Sequence, residues 1–288
     1  MRRVVFIIIY LFMASLFGAC NSTTQTSDAQ IIVSIEPLKY IIENIVGDDL
    51  SIEVLVPANA SPETYEPTPR QRIAIDNAQM VFSTGLIAFE QKVIDKITHA
   101  EQITNLSNGI ELIDGGCTHS NHNHTHGIDP HIWTSPDELR IMARNAHNTI
   151  MRHYPDSAKY TTAYQLLDAE LEQLSAWCRD KIEVSATQAF VIYHPALTYF
   201  ARNYNIEQIA IENQGKEPSA KHIAEIIELS RKRNIRCLLY QTEFPRSMVE
   251  VIAKDMNIEP IEINPLDENP VRFIKHVTNI ITENEDGR

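Results

Sequence analysis

From Asp156 to about Val184 the chain runs without a glycine or a proline, and Tyr160, Ala163, Tyr164, Leu167, Leu171, Leu174 and Trp177 recur at the spacing that places them along one helix face. At 1.5 Å per residue such a helix is on the order of 40 Å long, enough to cross a whole domain. On both sides of it, short β-rich runs alternate with helical stretches. Before it, strands are expected at 31–35, 51–56, 79–82 and 102–106, with helices at 37–46, 70–78, 87–99 and 136–153; Pro37 opens the first helix and Gly47 stops it. After it, strands are expected at 189–193, 206–211, 236–240 and 259–263, with helices at 195–204, 219–233, 245–257 and 270–283. Strand and helix in alternation build parallel sheets from βαβ units. The expected fold is therefore α/β: an N-terminal lobe over 31–155 and a C-terminal lobe over 185–288, joined by one long rigid helix over 156–184.

The first residues belong to neither lobe. Arg2 and Arg3 precede an apolar run from Val4 to Phe17 that ends Gly18-Ala19-Cys20, the pattern of a secretory signal over 1–19. A membrane span needs roughly 20 apolar residues, and this run is shorter. The cysteine placed right after Gly-Ala looks like a bacterial lipoprotein cleavage site, with Cys20 as the lipidated residue and 20–30, rich in Ser, Thr and Gln, as a flexible tether. The expected location is the cell envelope, held to the membrane by that lipid. The chain carries 25 basic against 38 acidic residues, which excludes the basic footprint that nucleic acid requires. Cys117, Cys178 and Cys237 remain, an odd number from which spacing selects no pair.

Imidazole is concentrated rather than scattered. His119, His122, His124, His126 and His131 are five of the chain's 11 histidines and fall within Cys117–Pro136. Residues 117–127 are small and polar without apolar periodicity, as a mobile metal-collecting arm would be, with Cys117 either a soft auxiliary ligand or a free thiol. From Ile128 onward, Asp129-Pro130-His131-Ile132-Trp133 adds a stiff proline and two large apolar groups, a frame able to lock His131. His99, His147, His153, His222 and His276 stand alone on helices and are expected to be solvated.

Ligands of open parallel sheets bind outside the carboxyl ends of the strands. Three proline-stiffened motifs follow strands in that way: Ser61-Pro62-Glu63-Thr64-Tyr65-Glu66-Pro67, His194-Pro195-Ala196 and Asn264-Pro265-Leu266-Asp267. Each by itself reads more readily as a turn than as a site.

Together, S-P-E-T-Y-E-P-T-P at 61–69, D-P-H-I-W at 129–133 after a His-rich loop, H-P-A-L-T-Y-F-A at 194–201 and G-K-E-P-S at 215–219 resemble the zinc- and manganese-binding solute receptors of ABC transporters. The resemblance covers nearly all of the chain after the tether. It implies two α/β lobes with a metal cleft between them, no enzymatic activity, a membrane permease as partner, a monomer, and His131 and His194 as metal ligands. Glu63 stands where the family usually has His, and Asn264 where many members have Asp, so the implied set is Glu63, His131 and His194 with Asn264, Asp267 or water completing it, and Glu243 as a further candidate.

Two imidazoles and a carboxylate suit Zn2+, and also Mn2+ or Fe2+; the His-rich arm, a feature of the zinc-binding members, favours zinc. The same donor set with an open position also describes a zinc-dependent hydrolase with Glu66 or Glu243 as base, and a surface adhesin with a structural metal is a third class. The dispersal of the ligands over both lobes favours the receptor. Deleting residues 119–126 is expected to spare the tight site and remove only weaker additional binding, as titration with a competing chelating dye would show.

Overall fold

The computed structural model describes residues 29–57, 60–94, 100–115, 127–212 and 218–283. The expected signal, the tether up to residue 28 with Cys20, the arm residues His119, His122, His124 and His126, and Cys117 and His99 lie outside the described residues.

The first lobe is a four-stranded, all-parallel sheet of β1 (Ile31–Val33), β2 (Ile52–Val54), β3 (Met80–Ser83) and β4 (Ile103–Asn105) in the order β2-β1-β3-β4. Around it lie α1 (Glu36–Val46), α2 (Pro69–Asn77), α3 (Ala88–Ile94) and α4 (Pro136–His153). Helix α5 (Ala158–Ser185, 28 residues) leads to the second lobe. There β5 (Ala189–Ile192), β6 (Glu207–Ala210), β7 (Leu238–Gln241) and β8 (Pro260–Ile263) form a second parallel sheet in the corresponding order β6-β5-β7-β8. Its helices are α6 (Thr198–Asn203), α7 (Ala220–Arg233), α8 (Ser247–Met256) and α9 (Pro270–Thr282).

Local chemistry sets the boundaries. Pro37 sits in the first turn of α1, and Gly47 ends it at φ 60°, a conformation an L side chain adopts at a cost. Thr68 and Gln71 close a reciprocal capping box on α2, Ser219 caps α7 and Asn269 caps α9. The largest departure from the sequence expectation is α6, which begins at Thr198 rather than Pro195. A residue preceding proline is kept out of the helical region, and the Ala196 amide turns back onto the His194 carbonyl at 2.8 Å. That turn leaves His194 at the end of a strand.

Both faces of the second sheet are covered, as parallel sheets require. Val191, Tyr193, Leu238 and Tyr240 pack under α7 and α8 in a core of their own. Phe190, Ile192 and Leu239, pointing the other way by the two-residue period of a strand, join one continuous core with Ile31, Val33, Phe82, Trp133, Leu171 and Phe273. That core crosses from lobe to lobe, and α5 lies along it, touching α1 and α4 on one side and α9 on the other. Cys178 and Cys237 are free and buried; burial pushes their thiols up to about 11 and about 12. His147, expected to be solvated, instead stacks on Tyr164 at 4.4 Å between α4 and α5, because an aromatic neighbour one helix away offers its ring face. Among the described residues no helix is long and apolar enough to cross a membrane.

Because one core serves both lobes, they are expected to unfold together. Leu171→Ala is expected to cost about 2 to 5 kcal/mol, with tryptophan fluorescence and circular dichroism tracing one coincident urea transition; two separated transitions would show lobes that fold independently.

Candidate metal centre

Three of the sequence-selected side chains meet in the cleft. Among the described residues, Glu63, His131 and His194 are the one group of His, Cys, Asp or Glu side chains whose ligand atoms all lie within 4.8 Å of one another. Glu63 Oε1 is 3.2 Å from His194 Nε2 and 4.0 Å from His131 Nε2. The two imidazole rings stand 5.2 Å apart, nearly edge to face.

Each ligand side chain arrives from a different element. Glu63 lies in the turn after β2, His194 just beyond β5, and His131 ahead of the 3-10 turn Ile132–Thr134. The Asp129 carboxylate binds His131 twice, accepting its backbone N–H at 2.9 Å and meeting its ring Nδ1 at 2.8 Å. The Glu212 carboxylate meets His194 Nδ1 at 2.7 Å. Both Nδ1 atoms being engaged, both Nε2 atoms face Glu63, the arrangement by which an outer carboxylate orients a metal-binding imidazole. Gln241, at the end of β7 and fully buried, brackets the His194 backbone: its amide Nε2 donates to the His194 carbonyl at 2.6 Å and its Oε1 accepts the His194 N–H at 3.3 Å. Asp129, Glu212 and Gln241 were not singled out as site residues from the sequence. Asp129 had a signal, standing two residues before His131, and so did Gln241, a polar side chain closing an apolar strand. Glu212 had none, being 18 residues from its partner.

The electrostatics follow from these contacts. Burial by itself would lower the His194 pKa, but the Glu212 and Glu63 carboxylates outweigh it and hold the ring up at about 10. The hydrogen bond with His194 keeps the Glu63 carboxyl below the ordinary carboxylate range against the opposing effect of burial. Burial would raise Asp129, yet the charge and hydrogen bonds of His131 keep it low. In the ion's absence the cleft thus holds an imidazolium clasped by two carboxylates.

The other candidates make contacts of their own. Asn264 Oδ1 accepts the Leu266 N–H at 3.0 Å, and Asp267 accepts the Asn269 N–H at 2.8 Å and pairs with Arg272 at 2.6 Å. Glu66 lies 4.0 Å from Lys92, and Glu243 takes the Thr242 hydroxyl at 3.5 Å. Of the three carboxylates among them, Glu66, Asp267 and Glu243, none belongs to the group of three.

Residues 31–283 match the family described as ZnuA, zinc-uptake complex component A, periplasmic. The zinc-binding lipoprotein AdcA of Streptococcus pneumoniae is 24% identical over 278 residues, covering 90% of this chain and 55% of that protein. The chain thus spans about half the length of the first curated relatives it matches. The high-affinity zinc uptake system protein ZnuA of Bacillus subtilis is 24% identical over 277 residues, covering 88% of this chain and 85% of that one. A crystal structure of ZnuA superposes with a TM-score of 0.79 at 31% identity, over 88% of this chain and 98% of that one. The periplasmic zinc-binding protein TroA of Treponema pallidum, at 18% identity and a TM-score of 0.76 over 88% and 98%, shares the fold.

If Glu212 sustains the charge on His194, Glu212→Gln is expected to move the ring's titration midpoint in the metal-free protein from about 10 to below about 9, read by histidine-ring NMR. The sign also bears on stability. A pKa raised by folding stabilises fully below the unfolded value of 6.5 and ceases to do so as pH rises through about 10.

Proposed function

The chain belongs to the periplasmic zinc-uptake component A family, and from that premise we propose that it captures a zinc ion between Glu63, His131 and His194 and hands it to an ABC-transporter permease. The observation that carries this reading is the convergence of two carboxylate-oriented imidazoles and a third, ionised carboxylate within 4.8 Å of one another. Nitrogen and carboxylate oxygen are donors that Zn2+ accepts in one shell, and three protein ligands leave a position that water can fill. Neutral rings are needed, so loading displaces the His194 proton toward solvent. We further propose that Cys20 anchors the protein at the envelope membrane and that it acts as a monomer.

Glu63 supports a second reading. A carboxylate in place of a third imidazole hardens the donor set and makes Mn2+ or Fe2+ an alternative cargo. The metal that copurifies with the protein, with its stoichiometry before and after dialysis against chelator, separates the two.

Zinc affinity is expected to be nanomolar, about −12 kcal/mol, and to fall at least a hundredfold in His131→Ala and in His194→Ala, measured by competition with a chelating dye; unchanged affinity in both variants would sink the assignment. At pH 7.5, calorimetry in buffers of differing ionisation enthalpy is expected to report about one proton released per ion, with affinity rising about tenfold per pH unit below the His194 midpoint.

A further inference from the structure

Glu63 differs from its two neighbours in how it is held. His131 precedes the long helix, yet its segment is fastened to the second lobe. The Tyr199 hydroxyl donates to the Asp129 carbonyl at 2.8 Å, and Thr134 Oγ1 lies 2.9 Å from the Ala196 carbonyl oxygen. Trp133 Nε1 donates to the Pro265 carbonyl at 2.8 Å, and Asn203 Nδ2 to Ser135 Oγ at 2.9 Å. His194 springs from β5 of that same lobe. The two imidazoles therefore ride on one body.

Glu63 rides on the other, in the turn between β2 and α2, with its side chain 46% exposed. Two residues on, Tyr65 supplies the anchor. Its hydroxyl donates to Gln71 Oε1 at 2.7 Å, Gln71 Nε2 in turn donates to the Leu55 carbonyl at 2.7 Å, and the Tyr65 ring stands edge-on to Phe89 at 5.4 Å. Beside that ring is a cavity of about 270 Å³ whose wall joins the apolar Ile75, Phe89 and Val93 to the charged Glu66, Arg72 and Lys92. A ring at the edge of such a cavity is not packed by protein on that side, so its displacement into the space meets less resistance than displacement into a close-packed core.

We propose that Tyr65 is a positioning residue for the bound ion: it holds the Glu63 carboxylate against a standing His131–His194 pair, and its retreat into the adjoining cavity withdraws Glu63 and frees the ion. This rests on the ligand set assigned above. Glu63 is then the jaw that moves, and capture begins on the two imidazoles.

The experiment is zinc release from the full chain, followed by stopped-flow mixing with excess chelator. Tyr65→Ala is expected to speed release by roughly tenfold or more, Tyr65→Phe by less, and Val93→Phe, which fills the cavity, to slow it. In a Glu63→Ala background, which should retain weakened binding on the imidazole pair, the Tyr65 and Val93 substitutions are expected to leave the rate unchanged, because their coupling to the ion runs through the missing carboxylate. Melting temperatures of the metal-free variants, read alongside, separate loss of fold from altered release. Equal effects with and without Glu63, the same direction for emptying and filling the cavity, or no zinc binding at all in Glu63→Ala would overturn the proposal. A wild-type chain that binds no zinc would instead remove the ligand assignment beneath it.

Discussion

An imidazole can aim one nitrogen at a fixed point only if something grips the other, and the cleft depends on that grip being made twice. Asp129 holds His131 and Glu212 holds His194, both through Nδ1 and both from buried positions. Without these contacts two rings 5.2 Å apart would be free to turn and would present no common direction. With them, the carboxylate of Glu63 faces two nitrogens of the same type. The grip also has an electrical side: the Glu212 carboxylate that orients His194 also raises that ring's affinity for protons, so an arriving cation competes with a proton there.

A grip of this kind is useful only on a frame that does not drift. The frame here is the core that passes between the lobes, with α5 laid along it and Trp133 buried where the lobes meet. The Arg202–Glu138 ion pair at 2.6 Å, with Glu138 buried, adds a polar tie across the same junction. A buried carboxylate left without its guanidinium would be costly, so this junction resists opening in a way that a solvent-filled hinge would not. The turn bearing Glu63 lies outside that junction, at the periphery, where the side chain is exposed.

Much of the fold was legible in the sequence because parallel sheets buried on both faces need uninterrupted apolar runs, and because proline, glycine and capping residues mark where helices begin and end. Pro136 and His153 bound α4 where expected, and the Gly- and Pro-free stretch became α5. His131 and His194 were legible for a related reason, since each stands in a proline-stiffened motif that local chemistry holds in place. The carboxylate that orients the His194 ring was not, because Glu212 reaches it from beyond a neighbouring strand and no spacing along the chain records that approach. Asn264 and Asp267 show the opposite difficulty. A polar side chain beside a proline has the same sequence appearance whether it points at a ligand or caps its own turn, and an oxygen that accepts a backbone N–H of its own loop, as both do here, keeps a further lone pair for a ligand.

The corresponding strand orders of the two sheets carry a last implication. Glu63 follows β2 and Glu212 follows β6, the outermost strand on the same side of each sheet, so the cleft receives an acidic group from matching corners, and Asp129 adds a third. A dication held among them with both rings neutral leaves one negative charge uncompensated. Citrate or phosphate complexes of the metal would be repelled at the threshold and would have to shed their anion before entry, whereas the hydrated ion would be drawn in.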